Sequence, residues 1–206
     1  MKIGRVTISD RASTGIYEDR SGPEIENVLS DAFGAETAFE VAVIPDERDL
    51  ISAKLREFAD QRLCDVAVTT GGTGIGPRDV TPEATRDVLD KELPGFGEAM
   101  RMQTMVQVKT AILSRATAGI RGSCLIVNLP GKPSAVRECL RVLAQPYAKG
   151  WPICAERIRT GPVLNPGGTR ERNLLLISAA PTGACWFRSV RSDCGLPPHF
   201  GHRPLQ

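Results

Sequence analysis

Apolar positions along the chain follow two rhythms, one of period two and one of helical period, and the two take turns. Ile3 to Ile8 alternates loosely in a β-rich run and predicts a central first strand. Ile25, Val28, Leu29, Ala32 and Phe33 then fall at helical spacing, with Gly34 placed to stop that helix. Phe39, Val41 and Val43 alternate as a second strand, and Ile51, Leu55, Phe58 and Ala59 share one face of a second helix. Val66 to Thr70 reads as a third strand. A short helix is expected from Pro82 to Lys91, a break at Pro94 to Gly97, and a further helix carrying Met100, Met102, Met105 and Val106, whose methionine-rich face reads as core. Thr110 to Ser114 and Ser123 to Leu129 read as strands, with a hairpin-like reversal at Ala118 to Gly122 between them. Pro133 opens a last helix with Val136, Cys139, Leu140 and Leu143 on its face. Strands alternating with helices predict a three-layer α/β/α domain on a mostly parallel sheet, with one antiparallel strand near Gly119.

The chemistry gathers in one stretch, Thr69 to Thr85, which reads TTGGTGIGPRDVTPEAT. Gly71, Gly72, Gly74 and Gly76 let the backbone turn tightly after the third strand. Arg78 and Asp79 follow, and Thr81 with Pro82 has the form of an N-cap and first residue of a helix. Strand, glycine loop and helix N-terminus in that order expose backbone N–H groups to an anion, and phosphate is the expected one. The loop lacks the Gly-Lys-Ser/Thr ending of a Walker A loop and the spacing of a dinucleotide fingerprint. Gly71, Gly72, Thr73 and Gly74 are therefore candidate phosphate ligands through their backbone. Arg78 can add a planar guanidinium, and Asp46 and Asp79 offer hard oxygen ligands suited to Mg²⁺. Asp46 also stands where a helix N-cap belongs, and Asp79 is placed either to pair with Arg78 or to supplement the cap at Thr81, so both structural roles stay open. Ser9-Asp10-Arg11 is a polar cluster just past a strand end, where open α/β sheets bind ligands. Both histidines, His199 and His202, lie in the far C-terminal stretch, away from every motif, which argues against a Ser-His-Asp or Cys-His enzyme.

GGTGIGPRDVTPEAT resembles the signature of the molybdenum-cofactor biosynthesis family, the molybdopterin adenylyltransferases and the G domain of gephyrin-like proteins. VTISDRASTGIYEDRSGPEI from Val6, AILSRATAGIRGS from Ala111 and NLPGKPSAVRECL from Asn128 resemble the same family, in its order, as far as about Leu143. The resemblance implies a mixed five-stranded sheet and a homotrimer. It implies transfer of AMP from ATP to the terminal phosphate of molybdopterin, with pyrophosphate released, Mg²⁺ as cofactor, and hand-over of the product to a molybdotransferase. Asp46 and Asp79 would be the catalytic and metal-binding carboxylates. Thr81, Ser114, Ser123, Asn128, Pro130 and Gly131 would join the glycine loop in binding substrate, with Arg121 and Lys132 as spare positive charges for the pterin phosphate. The alternative is a non-catalytic molybdopterin-binding or scaffold protein on the same fold. The molybdotransferase itself and a relative acting on pyridine nucleotides share a related domain in longer chains.

Composition narrows the setting. The 206 residues carry a net charge of only +2, which gives no reason to expect nucleic acid or an acidic membrane as partner. No apolar run approaches the roughly 20 residues of a membrane span, and no secretory leader is apparent. Six cysteines without a C-x-x-C pair read as reduced thiols of a cytoplasmic protein. Prolines become frequent after Gln145, and from about Asn165 the chain resembles no part of the family. The expected division is a molybdopterin-binding domain over 1–164 and an atypical, irregular Pro/Gly/Arg-rich tail over 165–206.

Overall fold

The structure, a computed structural model, describes residues 1–144. The expected domain end at 164, the tail and Cys154, Cys185 and Cys194 lie outside the described residues. Six strands form one sheet in the order β2-β1-β3-β6-β5-β4, with β1 Lys2–Ile8, β2 Ala38–Ile44, β3 Val66–Thr70, β4 Lys91–Glu92, β5 Ala118–Arg121 and β6 Cys124–Leu129. β2, β1, β3 and β6 are parallel, and β5 runs antiparallel to both β6 and β4. The helices are α1 Asp10–Ser13, α2 Ser21–Phe33, α3 Arg48–Arg56, α4 Thr81–Arg86, α5 Pro94–Thr104 and α6 Pro133–Ala144. A π-helical turn at Glu57–Gln61 extends α3, and a 3-10 helix spans Lys109–Leu113.

Because side chains alternate across a strand, each central strand feeds two cores. Val66, Val68, Leu125, Val127 and Leu129 pack with Ile25 and Leu29 of α2, Met100 of α5 and Val136, Cys139 and Leu140 of α6. Val6, Ile8, Ala67, Cys124 and Ile126 point the other way and pack with Ile51 and Leu55 of α3, Phe58, and Ala84 of α4. This is the three-layer arrangement that the alternating pattern predicts. Each fully buried aliphatic side chain contributes about 1.5–3 kcal/mol relative to exposure.

Four local expectations change. The helix at Pro82 stops at Arg86, and Lys91–Glu92 pairs with Ile120 and Gly119, so the sheet has six strands where five were expected. Thr110 to Ser114 is 3-10 helix. The strand that pairs with β6 is Ala118–Arg121, and the chain reverses at Gly122, whose φ of +54 suits a residue without a Cβ. Pro94 opens α5 instead of breaking the chain, because a proline at the first helical position loses no internal hydrogen bond. Only Met100 of the expected methionine face is buried, while Met102 is 70% exposed. Cys64, Cys124 and Cys139 are free and buried, as expected, and burial pushes their thiols up to about 11, 12 and 12. Among the described residues no helix is long and apolar enough to cross a membrane.

Candidate active site

Parallel strands end at the same edge of a sheet, so the loops after β1, β2, β3 and β6 meet there. The chain runs from β1 to β2 on one side and to β3 on the other, making a topological switch point between β1 and β3, where open α/β sheets bind ligands. Asp10 follows β1, Asp46 follows β2, the glycine loop follows β3, and Pro130 and Gly131 follow β6.

The glycine loop begins against the end of β1. Gly71 has φ +106, and a Cβ there would lie 2.1 Å from the carbonyl oxygen of Ile8, so only glycine fits. Beyond it the peptide groups are sorted by polarity. The Gly71 carbonyl accepts from Thr81 Oγ1 at 2.9 Å and the Gly72 carbonyl from Thr81 N at 3.1 Å. The Thr73 carbonyl accepts from Arg115 N at 2.9 Å and the Gly74 carbonyl from Arg115 Nε at 2.6 Å. The N–H groups on the other side of those four peptide planes belong to Gly72, Thr73, Gly74 and Ile75, and among the described residues none meets a protein acceptor. Thr81 is thus the first residue of α4 and not its cap. Val80 takes the cap position, and the Thr81 hydroxyl is committed to the loop.

Two carboxylates flank this loop. Asp46 Oδ1 lies 3.0 Å from where a Cβ of Gly72 would stand, and Asp79 Oδ2 lies 2.8 and 2.9 Å from the corresponding points at Gly74 and Gly76. Asp46 does not cap α3, whose cap position is Glu47. Its Oδ2 accepts instead from Asp10 N at 2.9 Å, while Asp10 Oδ1 accepts from Asp46 N at 3.0 Å, a reciprocal clamp between the ends of β1 and β2. Burial raises the Asp46 carboxyl above its ordinary value, and the nearby charges of Asp10 and Asp79 add to that. Asp79 Oδ2 accepts from Gly76 N at 2.7 Å, and Asp79 N donates to the Gly76 carbonyl. One oxygen of each carboxylate, Asp46 Oδ1 and Asp79 Oδ1, therefore stays without a protein donor among the described residues. Arg78 turns to Asp10 with two hydrogen bonds, at 3.1 and 2.8 Å, and to Glu47 at 2.8 Å. The bonds from Arg78, and then that from Asp46 N, hold Asp10 below the ordinary carboxylate range.

The loop forms one wall of a cavity of about 500 Å³. Gly72, Thr73, Gly74, Asp79, Ser114, Pro130 and Gly131 line it, and Met100, Val108, Leu113, Ala135 and Cys139 make the rest mainly apolar. Arg101 also lines it and donates to the carbonyls of Ser114 and Ala116. Lys132 also lines the cavity and has no ion pair among the described residues. Ser21 Oγ and Thr70 Oγ1 donate to the carbonyls of Gly131 and Pro130, which seats that turn beside Gly71.

Three expected members are elsewhere. Ser123 is exposed in the turn before β6, at the opposite end of a strand that spans roughly 20 Å. Arg121 is at that same far end, paired with Asp60 and donating to the Val88 carbonyl. Asn128 is fully buried between the sheet and α4, where its amide donates to Thr69 Oγ1 at 3.0 Å and Thr85 Oγ1 at 2.9 Å. Adjacency in a motif does not place residues together when the motif runs the length of a strand. Arg115 stands in the same stretch, and its signal in the sequence is an arginine flanked by small residues beside Ser114.

The described fold, the switch-point loop and the paired carboxylates accord with one known family. A family model for a probable molybdopterin binding domain matches residues 4–150. The chain belongs to that family. A molybdopterin adenylyltransferase of Helicobacter pylori strain J99 is 54% identical over 147 residues, covering 70% of this chain and 84% of that protein. One of Escherichia coli K12 is 48% identical over 140 residues, covering 68% and 72%. Among solved structures, the molybdopterin biosynthesis enzyme MoaB of Thermus thermophilus superposes with a TM-score of 0.68 at 38% identity, over 75% of this chain and 96% of that one. A MogA structure superposes with a TM-score of 0.69 at 36% identity, over 75% and 99%.

Proposed function

We propose that this protein is a molybdopterin adenylyltransferase in molybdenum-cofactor biosynthesis, transferring AMP from ATP to the terminal phosphate of molybdopterin. The observation that carries the reading is the sorted glycine loop. Four carbonyls are tied back and four N–H groups are left to an anion, beside two carboxylates and at the mouth of an apolar cleft.

The pterin phosphate oxygen attacks the α-phosphorus of ATP, the bond from that phosphorus to the bridging oxygen breaks, and pyrophosphate leaves. No protein nucleophile is needed, so the chain acts by positioning and by neutralising charge. The N–H groups of Gly72, Thr73, Gly74 and Ile75 receive phosphate oxygens, and Lys132 adds a cation at the same cavity. Arg78 leaves Asp10 and Glu47 to reach a phosphate. Asp46 and Asp79 each keep one oxygen free of protein donors, and that pair fits Mg²⁺, which takes one or two carboxylates together with phosphate oxygens and water. When bound, the ion would neutralise phosphate charge. The apolar walls with Ser114, Pro130 and Gly131 receive the pterin. We place the protein in the cytoplasm, in keeping with its free buried thiols, as a homotrimer. Exposed Met102, Val106 and Ile112 offer apolar surface for a subunit contact. The product would pass to a molybdotransferase. The scaffold alternative is not favoured, because the similar proteins are enzymes by name.

The test is incubation of purified protein with molybdopterin, ATP and Mg²⁺, with detection of AMP-modified pterin and pyrophosphate. Asp79→Asn should bind pterin and form little product. Tight pterin binding with no product from the wild type would favour a scaffold.

A further inference from the structure

We propose that Arg115 is a positioning residue for this reaction, holding the glycine loop in the orientation that turns its N–H groups toward the ligand. The proposal rests on the adenylyltransferase reading for its kinetic consequences, but not for its structural one.

Arg115 enters the loop from the far side. Its backbone N–H holds the Thr73 carbonyl at 2.9 Å and its Nε holds the Gly74 carbonyl at 2.6 Å. Nη2 donates to the Asp79 carbonyl and Nη1 to the Glu83 carboxylate. The side chain thus ties the middle of the loop, its end and the first turn of α4, while the backbone N–H holds Thr73. A peptide group is planar and trans, so fixing a carbonyl fixes the N–H on the opposite side. The side chain's hold on Gly74 O aims the N–H of Ile75, the backbone N–H of Arg115 does so for Gly74, and Thr81 does the same for Gly72 and Thr73. Holding Asp79 O fixes the backbone that carries the Asp79 carboxylate. Lysine cannot replace this, because a rigid planar fork supplies donors in several set directions and an ammonium is a point charge on a flexible stem. Glu83 anchors the guanidinium. Burial works to raise its carboxyl, yet the Arg115 bond and charge hold it below the ordinary range. Its second oxygen, Oε2, is buried with no hydrogen-bond partner among the described residues.

The test compares Arg115→Ala, Arg115→Lys and Glu83→Gln with wild type by two readouts. In adenylyl transfer, Arg115→Ala should lower kcat about a hundredfold, the scale of an ångström's misplacement, while KM for molybdopterin stays within about threefold. Arg115→Lys should recover little, and added guanidinium should restore part of the alanine variant's rate. In amide hydrogen exchange, the Gly74 to Asp79 segment should exchange faster in Arg115→Ala with β1, β3 and β6 unchanged. Unaltered loop exchange, a loss confined to KM, or full activity in the lysine variant would each overturn the proposal. If Arg115→Ala does not fold, Glu83→Gln carries the same two predictions in weaker form. If wild type itself transfers no AMP, the enzymatic reading fails while the exchange comparison still decides whether Arg115 holds the loop.

Discussion

Gly74→Ala separates the site from the fold. The new Cβ would stand 2.8 Å from Asp79 Oδ2 and 3.3 Å from its Cγ, and no backbone atom is among its close contacts. The φ of Gly74 is not positive, so alanine adopts the backbone without strain. The carboxylate must therefore retreat by roughly half an ångström to reach ordinary contact. That retreat stretches the 2.7 Å bond from Gly76 N. A bond to a charged group contributes about 1.5–3 kcal/mol. Asp79 is only part-buried, so water replaces much of this, and the net loss of stability should be near 1 kcal/mol, or about 2–4 °C in Tm. The effect on catalysis should be larger, because shifting this carboxylate also shifts Oδ1, the oxygen that the proposed reaction leaves to the ion at the phosphates. A loss of about tenfold to a hundredfold in kcat is expected. Thermal unfolding by circular dichroism gives the first number, and pyrophosphate release with molybdopterin and ATP gives the second. Gly95→Ala is the control: its Cβ meets open space in the first turn of α5, and it should be neutral or more stable by up to about 1 kcal/mol with unchanged turnover. A folded Gly74→Ala protein with wild-type kcat would refute the placement of Asp79 at the reaction.

Three further outcomes are expected. Ionising Asp46 costs more in the folded protein than in the unfolded one, so its raised pKa removes stability as pH rises through it. Asp46→Asn should accordingly raise Tm at neutral pH, give no gain at pH 3, and abolish turnover. Equal Tm differences at both pH values would contradict this. Arg78→Ala removes only surface pairs at an arginine whose side chain is 55% exposed, so stability should change by less than about 1 kcal/mol. KM for ATP should rise about tenfold in steady-state assays if the guanidinium moves to a phosphate, and an unchanged KM would leave Arg78 a surface residue. Asn128→Ala removes two buried hydrogen bonds and should cost about 2–3 kcal/mol in denaturant unfolding, while KM for molybdopterin in the surviving folded protein stays unchanged. A selective loss of pterin binding would instead put Asn128 in the site.

Elements with strong periodicity are where sequence and structure agree. β1, β3, β6, α2 and α6 fall within a few residues of their expected positions, because alternation and helical spacing reflect which face is buried. β4 had no such signal. Two residues cannot show a period, and Lys91–Glu92 is a strand only because β5 lies beside it. The swap at residues 110 to 121 has a similar cause. Thr110 to Ser114 looks as apolar as Ala118 to Arg121, and the competition is settled by which segment reaches β6 in register.

For the site, the sequence by itself determined the glycine loop with Asp79 beside it, while Asp46 entered through the family resemblance and meets Gly72 only in the fold. The packing of Asp79 on Gly74 and Gly76 is local, since it involves neighbours a few positions apart. Only the tertiary structure decided what each side chain faces. The direction of β6 sends Ser123 and Arg121 to the far end and buries Asn128 under α4. The order β2-β1-β3 brings Asp10 onto Asp46 and Arg78 onto Asp10, across separations of 36 and 68 residues. The return of the chain after the 3-10 helix delivers Arg115 to the carbonyls of a loop 41 residues earlier. Local sequence sets backbone preference and burial periodicity. Partners in long-range hydrogen bonds depend on strand order and direction, which no short window of residues encodes.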